Sequence, residues 1–184
     1  MESVERIEQR ARVRYELGRM RRAVLGFAPV FVIVAAAALF AKHPSTTVGF
    51  GIAVFAVGAV LLWYGRDLRR AVLPGVAAGL VPLVLTLCAN HMGHACMGDR
   101  CMSLCIPACA TGGVLAGLAV AAVGIRRRSG IGFWLAASAV ALLTGAMGCG
   151  CVGYAGHVGL VLGFGAGLVP GLVSRLVRGG SKSG

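Results

Sequence analysis

Six apolar runs, none holding a single Asp, Glu, Lys or Arg, constrain this chain more than any other feature. They are Ala23–Ala41, Thr47–Tyr64, Ala71–Cys88, Cys105–Ile125, Gly132–Gly148 and Val152–Val173. A helix that crosses bilayer hydrocarbon needs roughly 20 such residues, whereas a barrel strand needs about ten of alternating polarity. These runs are continuous, and inside lipid every backbone amide must find its partner within the protein. The expected fold is therefore all-α, a polytopic membrane helical bundle of six transmembrane helices. Charged residues make up only 13% of the chain, against roughly 25% in soluble domains. Small residues recur four apart at Gly75/Gly79, Gly113/Gly117, Gly163/Gly167 and Gly167/Gly171, a spacing that lets helices pack closely in lipid. Pro29, Pro74, Pro82 and Pro170 are expected to kink helices or begin turns.

The formal net charge of +12 raises nucleic-acid binding, and the placement of the charge answers it. Seven arginines lie in residues 1–22. Further basic residues are Arg66, Arg69 and Arg70, then Arg126, Arg127 and Arg128, then Arg175, Arg178 and Lys182. Only Lys42 and Arg100 occupy the intervening connections. Basic residues mark the cytoplasmic side of short loops, so both termini are expected in the cytoplasm of a plasma (inner) membrane protein, with no direct nucleic-acid partner. Trp63, Tyr64, Phe133 and Trp134 fall at the same ends, as interfacial aromatics do. The chain then divides into a cytoplasmic N-terminal helical segment (1–22), a six-helix transmembrane domain (23–173) and a short basic tail (174–184). The leader contains four glutamates, and five more apolar runs follow the first, which favours an uncleaved helix over a signal peptide. The absence of Asp, Glu, Lys and Arg from the spans argues against an ion pump. Glycine-rich stretches such as Gly163–Gly167 lie inside a span and cannot cradle phosphate, so no enzymatic site is expected.

Chemistry concentrates in residues 88–109. That stretch holds Cys88, Cys96, Cys101, Cys105 and Cys109, with His91, His94, Met92, Met97 and Met102. The charge pattern puts it, together with Cys149, Cys151 and His157, on the extracytoplasmic side. Three readings of these thiols stay open. The first is metal binding: His91, His94, Cys96, Cys101, Cys105 and Cys109, completed by Cys149, Cys151 and His157, offer nitrogen and sulfur donors suited to zinc or copper. The second is disulfide formation, which an oxidising compartment favours; seven cysteines leave at least one outside any intrachain pairing. The third is packing, since a free thiol behaves as a small apolar group. Packing weighs as much as chemistry for Cys88 and Cys109, and less for Cys101, Cys105, Cys149 and Cys151. No Cys-x-x-Cys occurs.

The second half of the chain resembles the NrsF-like family of six-helix membrane anti-sigma factors. The likeness rests on an outer cysteine ahead of the fourth span, Arg126-Arg127-Arg128, the small-residue span from Ala136 to Gly148, and a cysteine followed by Gly156-His157-Val-Gly-Leu-Val-Leu-Gly-Phe-Gly165. The resemblance implies a sensor or regulator in the bilayer. Its N-terminal segment would hold an extracytoplasmic-function sigma factor, with Val4, Ile7, Val13 and Leu17 as the apolar contacts. Its sensing thiols would be Cys101 or Cys105 and Cys149 or Cys151, answering to oxidants or soft metals. Seven outer cysteines depart from the pair that the family uses. The residues also permit a metal-ion (copper, zinc or mercury) binding or transport protein, or a membrane thiol-disulfide protein. A homo-oligomer is compatible with all three.

Overall fold

The computed structural model describes the backbone of residues 2–41, 43–64, 66–92, 94–97 and 100–180. Side chains are described for the same residues except 2–8, 66–67, 94–97, 100–103, 151–152 and 176–180. The helices are α1 (Glu2–Phe27), α2 (Val30–Phe40), α3 (Pro44–Tyr64), α4 (Arg66–Met92), α5 (Cys105–Arg126), α6 (Ile131–Ala146) and α7 (Tyr154–Gly180). A two-stranded hairpin, β1 (His94–Met97) and β2 (Arg100–Ser103), joins α4 to α5, and a short 3-10 turn, η1 (Cys149–Val152), joins α6 to α7.

Among the described residues four helices are long and apolar enough to cross a membrane: α3, α4 from Leu68, α5 and α7 to Arg175. The first apolar run is not one straight helix. Pro29 has no amide hydrogen and disfavours helix at the residue before it. The chain accordingly bends by 40° between Gln9–Phe27 and Val30–Phe40, where Ala28 N–H and Phe31 N–H make tight three-residue bonds to Leu25 O and Ala28 O. If the bent pair counts as one span, the total is five. The remaining apolar helix, α6, has 16 residues, shorter than a full crossing of roughly 20. The leader continues without interruption from Arg22 into Ala23 and Phe27, so α1 is a single arm.

The bundle is apolar outside and small-residue inside. Leu39, Leu73, Val32, Leu135 and Leu162 point outward, while Ala71, Ala78, Ala116, Ala136, Ala137 and Ala141 fill the core around Phe133, Trp134 and Phe164. That is the arrangement of a protein embedded in a bilayer, where lipid covers large side chains and interhelical contact depends on close approach. The closest approach is between α5 and α7. A β-carbon on Gly113 or Gly117 would strike Leu160 O or Phe164 O, and one on Gly163 or Gly167 would strike Ala110 O or Val114 O. Helices α4 and α6 pair the same way, through Gly75 against Ala137 O and Gly79 against Ala141 O. Phe27, Val30 and Val34 pack with Val54 of α3, Val72 and Leu83 of α4, and Met147.

The connections gather at two ends. At one end the Arg19 guanidinium donates to Trp63 O at 2.6 Å and Arg127 donates to Arg70 O at 3.3 Å. At the other, Phe40 meets the His91 ring at 5.9 Å, and Ala41, His43, Leu87, Asn90, Gly148 and Gly150 border one small crevice. Arg19, Arg70 and Arg127 therefore lie at the end of the molecule opposite Cys88 and Cys149, while Arg100 belongs to the hairpin at the cysteine end. Gly163→Leu should lower the thermal midpoint of the purified protein, at a cost of about 1–3 kcal/mol, the range expected for overpacking. Gly165→Leu, two residues on with nothing within 4 Å of its β-carbon position, should leave the midpoint unchanged. Melting followed by size-exclusion chromatography in detergent reads both.

Candidate thiol site

Local sequence sets both halves of the site. Pro107 sits in the first turn of α5, where a missing amide hydrogen breaks no bond, so the helix begins at Cys105 and places Cys105 and Cys109 one turn apart. Both are buried. On the other side α6 ends at Ala146, and Gly148, Gly150 and Gly153 surround η1. Gly153 adopts φ 65°, a left-handed value that glycine reaches without strain, and it redirects the chain into α7. The turn pushes Cys149 inward rather than toward solvent.

There it meets Cys109. The two Sγ atoms lie 2.7 Å apart, with Cys109 donating, and each residue is 0% exposed. They share a pocket with Ala146 and Leu160, edged by Phe50 and Leu142. Gly156, in the first turn of α7, roofs the pair: a β-carbon there would stand 2.8 Å from Cys149 O and 3.5 Å from Cys109 Sγ. The separation is longer than the roughly 2.05 Å of a disulfide and too short for indifferent neighbours.

The surroundings are tied to the rest of the bundle. Thr47 of α3 donates its hydroxyl to Met147 O at 3.0 Å, two residues before Cys149. His157 stacks on Phe50 with ring centroids 5.1 Å apart, and its Nδ1 lies 2.9 Å from Gly153 O. A carbonyl only accepts, so Nδ1 carries a hydrogen in this contact. Nε2 is buried without a hydrogen-bond partner among the described residues.

The remaining sequence candidates divide clearly. Cys88 and His91 are exposed at the end of α4. In the hairpin the register sets Cys96 opposite Cys101 and His94 opposite Ser103; the side chains of His94, Cys96, Cys101 and Cys151 lie outside the described residues. Among the described residues no three His, Cys, Asp or Glu side chains converge on a point that could hold a metal ion. In the N-terminal segment Val13 and Leu17 are exposed, and the side chains of Val4 and Ile7 lie outside the described residues. The pairing of Cys109 with Cys149 is the feature that residue spacing alone missed. Its one signal in the sequence is the glycine series at 148, 150, 153 and 156, which lets the α6–α7 turn fold tightly over the end of α5.

Comparisons of the chain with protein-family models, with curated proteins and with solved structures give no match. Native-state alkylation with N-ethylmaleimide should modify Cys88 readily and Cys109 and Cys149 only after denaturation. Peptide mapping by mass spectrometry checks this residue by residue.

Proposed function

We propose that this protein is a membrane-integral thiol sensor whose state is set by the Cys109–Cys149 pair and whose output is its N-terminal helix. The observation that carries the reading is the 2.7 Å approach of two buried Sγ atoms from segments 40 residues apart. In the sensing step both thiols give up their protons, two electrons pass to a disulfide donor or soft oxidant, and one S–S bond forms between Cys109 and Cys149. Burial keeps these thiols from bulk reagents, so exchange enters through neighbouring cysteines. Cys105, one turn before Cys109, and Cys151, two residues beyond Cys149, are the candidates. A soft metal ion bridging the same sulfurs would act on the same joint, and zinc or copper held with His157 is the weaker alternative because three donors do not converge among the described residues.

The proposed topology has six spans, with both termini in the cytoplasm and the cysteine-rich loop outside. The separation of arginine-bearing and cysteine-bearing connections to opposite ends supports it. A covalent tie at Cys149 constrains Met147, which shares a packed cluster with Phe27 and Val30 beside the Pro29 bend. Because α1 runs unbroken from Glu2 to Phe27, a change of tilt at Phe27 moves residues 2–22 as a rigid arm. Packed helices shift between discrete arrangements rather than deforming smoothly. The arm carries exposed Val13 and Leu17, which suit a protein partner. By the resemblance to NrsF-like proteins that partner is an extracytoplasmic-function sigma factor.

Mild oxidation of the purified protein should remove two titratable thiols attributable to Cys109 and Cys149, and Cys109→Ser or Cys149→Ser should each abolish that loss. Full-length tagged protein isolated from membranes should retain a sigma subunit in one redox state and release it in the other. Both serine variants should make retention insensitive to oxidant. Sigma retention that ignores redox state in the wild type would sink the coupling.

A further inference from the structure

A wide groove opens at the end of the molecule remote from the thiols, between the α1–α2 bend and α4, with Leu62 of α3 at its floor. Its volume is about 930 Å³, at the upper end of the range of small-molecule sites. The lining falls into two chemistries. Arg19, Arg22 and Arg69 supply three guanidinium groups, and among the described residues no Asp or Glu lines the groove. The rest is apolar, running along Val72, Val76 and Leu80 on one wall and Phe27, Val30 and Ile33 on the other.

The arginines stand at headgroup depth. Arg19 is anchored by its bond to Trp63 O, next to Tyr64, and this aromatic pair belongs at the membrane interface. Arg22 and Arg69 are exposed and have no hydrogen-bond or ion-pair partner among the described residues. From Arg69 to Leu80 the wall of α4 extends about 16 Å into the apolar region at the helical rise. Three unneutralised guanidiniums above an apolar trough of that length match one anion carried on a long hydrocarbon chain. Guanidinium forks pair with phosphate oxygens in bidentate fashion.

We propose that the groove holds one anionic phospholipid, its phosphate among Arg19, Arg22 and Arg69 and an acyl chain along Val72, Val76 and Leu80. The lipid fills the wedge that the Pro29 bend opens between α1–α2 and α4, and so braces the angle of the N-terminal arm. The groove is spatially separate from the thiol pair, which lies at the opposite end, and shares Phe27 and Val30 with the cluster that holds Met147.

The test uses the full-length chain in detergent micelles, titrated with palmitoyl-oleoyl phosphatidylglycerol or the matching phosphatidylcholine and read by native mass spectrometry. One phosphatidylglycerol should be retained about tenfold more tightly than phosphatidylcholine, the scale expected for a few arginines facing anionic lipid. Arg22→Gln with Arg69→Gln should erase the preference. Arg127→Gln with Arg128→Gln, which removes the same charge beside α5, should preserve it. Ala77→Trp, which narrows the groove and keeps its charge, should lower retention of phosphatidylglycerol. Equal retention of the two lipids, equal loss in both double variants, or displacement of the bound lipid by inorganic phosphate alone would overturn the proposal. So would release by an acidic peptide, which would assign the groove to a protein partner.

Discussion

The backbone contact between α5 and α7 is the interaction on which the rest of the bundle depends. Helices in lipid gain nothing from hiding apolar surface, because the tails outside are as apolar as leucine, and association rests on close van der Waals approach. Gly113 and Gly117 on one helix and Gly163 and Gly167 on the other bring each chain against the other's carbonyls. Cys109 lies one turn before Gly113 on the same face, and Gly156 lies two turns before Gly163. The thiol pair is thus the last rung of a glycine ladder. Cys109 belongs to α5 and Cys149 to η1, the turn that leads into α7.

Polar satisfaction follows the same economy. Thr86 and Thr144 are buried, and each returns its hydroxyl to a carbonyl of its own helix, Pro82 O and Val140 O respectively. Thr47 is different, since it reaches across to Met147 O. An interhelical bond of this kind in lipid is worth about 0.6 kcal/mol on average. Its value here is positional, because it pins the residue that leads into η1 to the start of α3. The same segment thereby touches the thiol site on one side and the cluster around Phe27 and Val30 on the other.

Much of this was legible in residue patterns. The apolar runs, the uninterrupted leader and the break at Pro29 all follow from where hydrocarbon, charge and a missing amide hydrogen fall along the chain. The small-residue spacings pointed to close packing, and the structure pairs Gly113/Gly117 with Gly163/Gly167. The partner of Cys149 was not legible. The sequence favours Cys105 over Cys109 for chemistry, although both share one face of one helix start, and only the docking of η1 sets Cys109 against Cys149. The hairpin of residues 94–97 and 100–103 also escaped periodicity, since two four-residue strands are too short to show a period against a loop.

By itself the sequence determined that this chain lives in a bilayer, which of its ends are basic, and that its thiols and histidines gather away from every arginine but Arg100. Those outcomes depend on composition and order along the chain, because transfer into lipid is decided segment by segment. Tertiary structure decided which thiols meet, and that a groove lined by Arg19, Arg22 and Arg69 opens beside the bend. Both arise where separate helices come together. Contacts between helices depend on how glycine faces dock, which no single segment encodes.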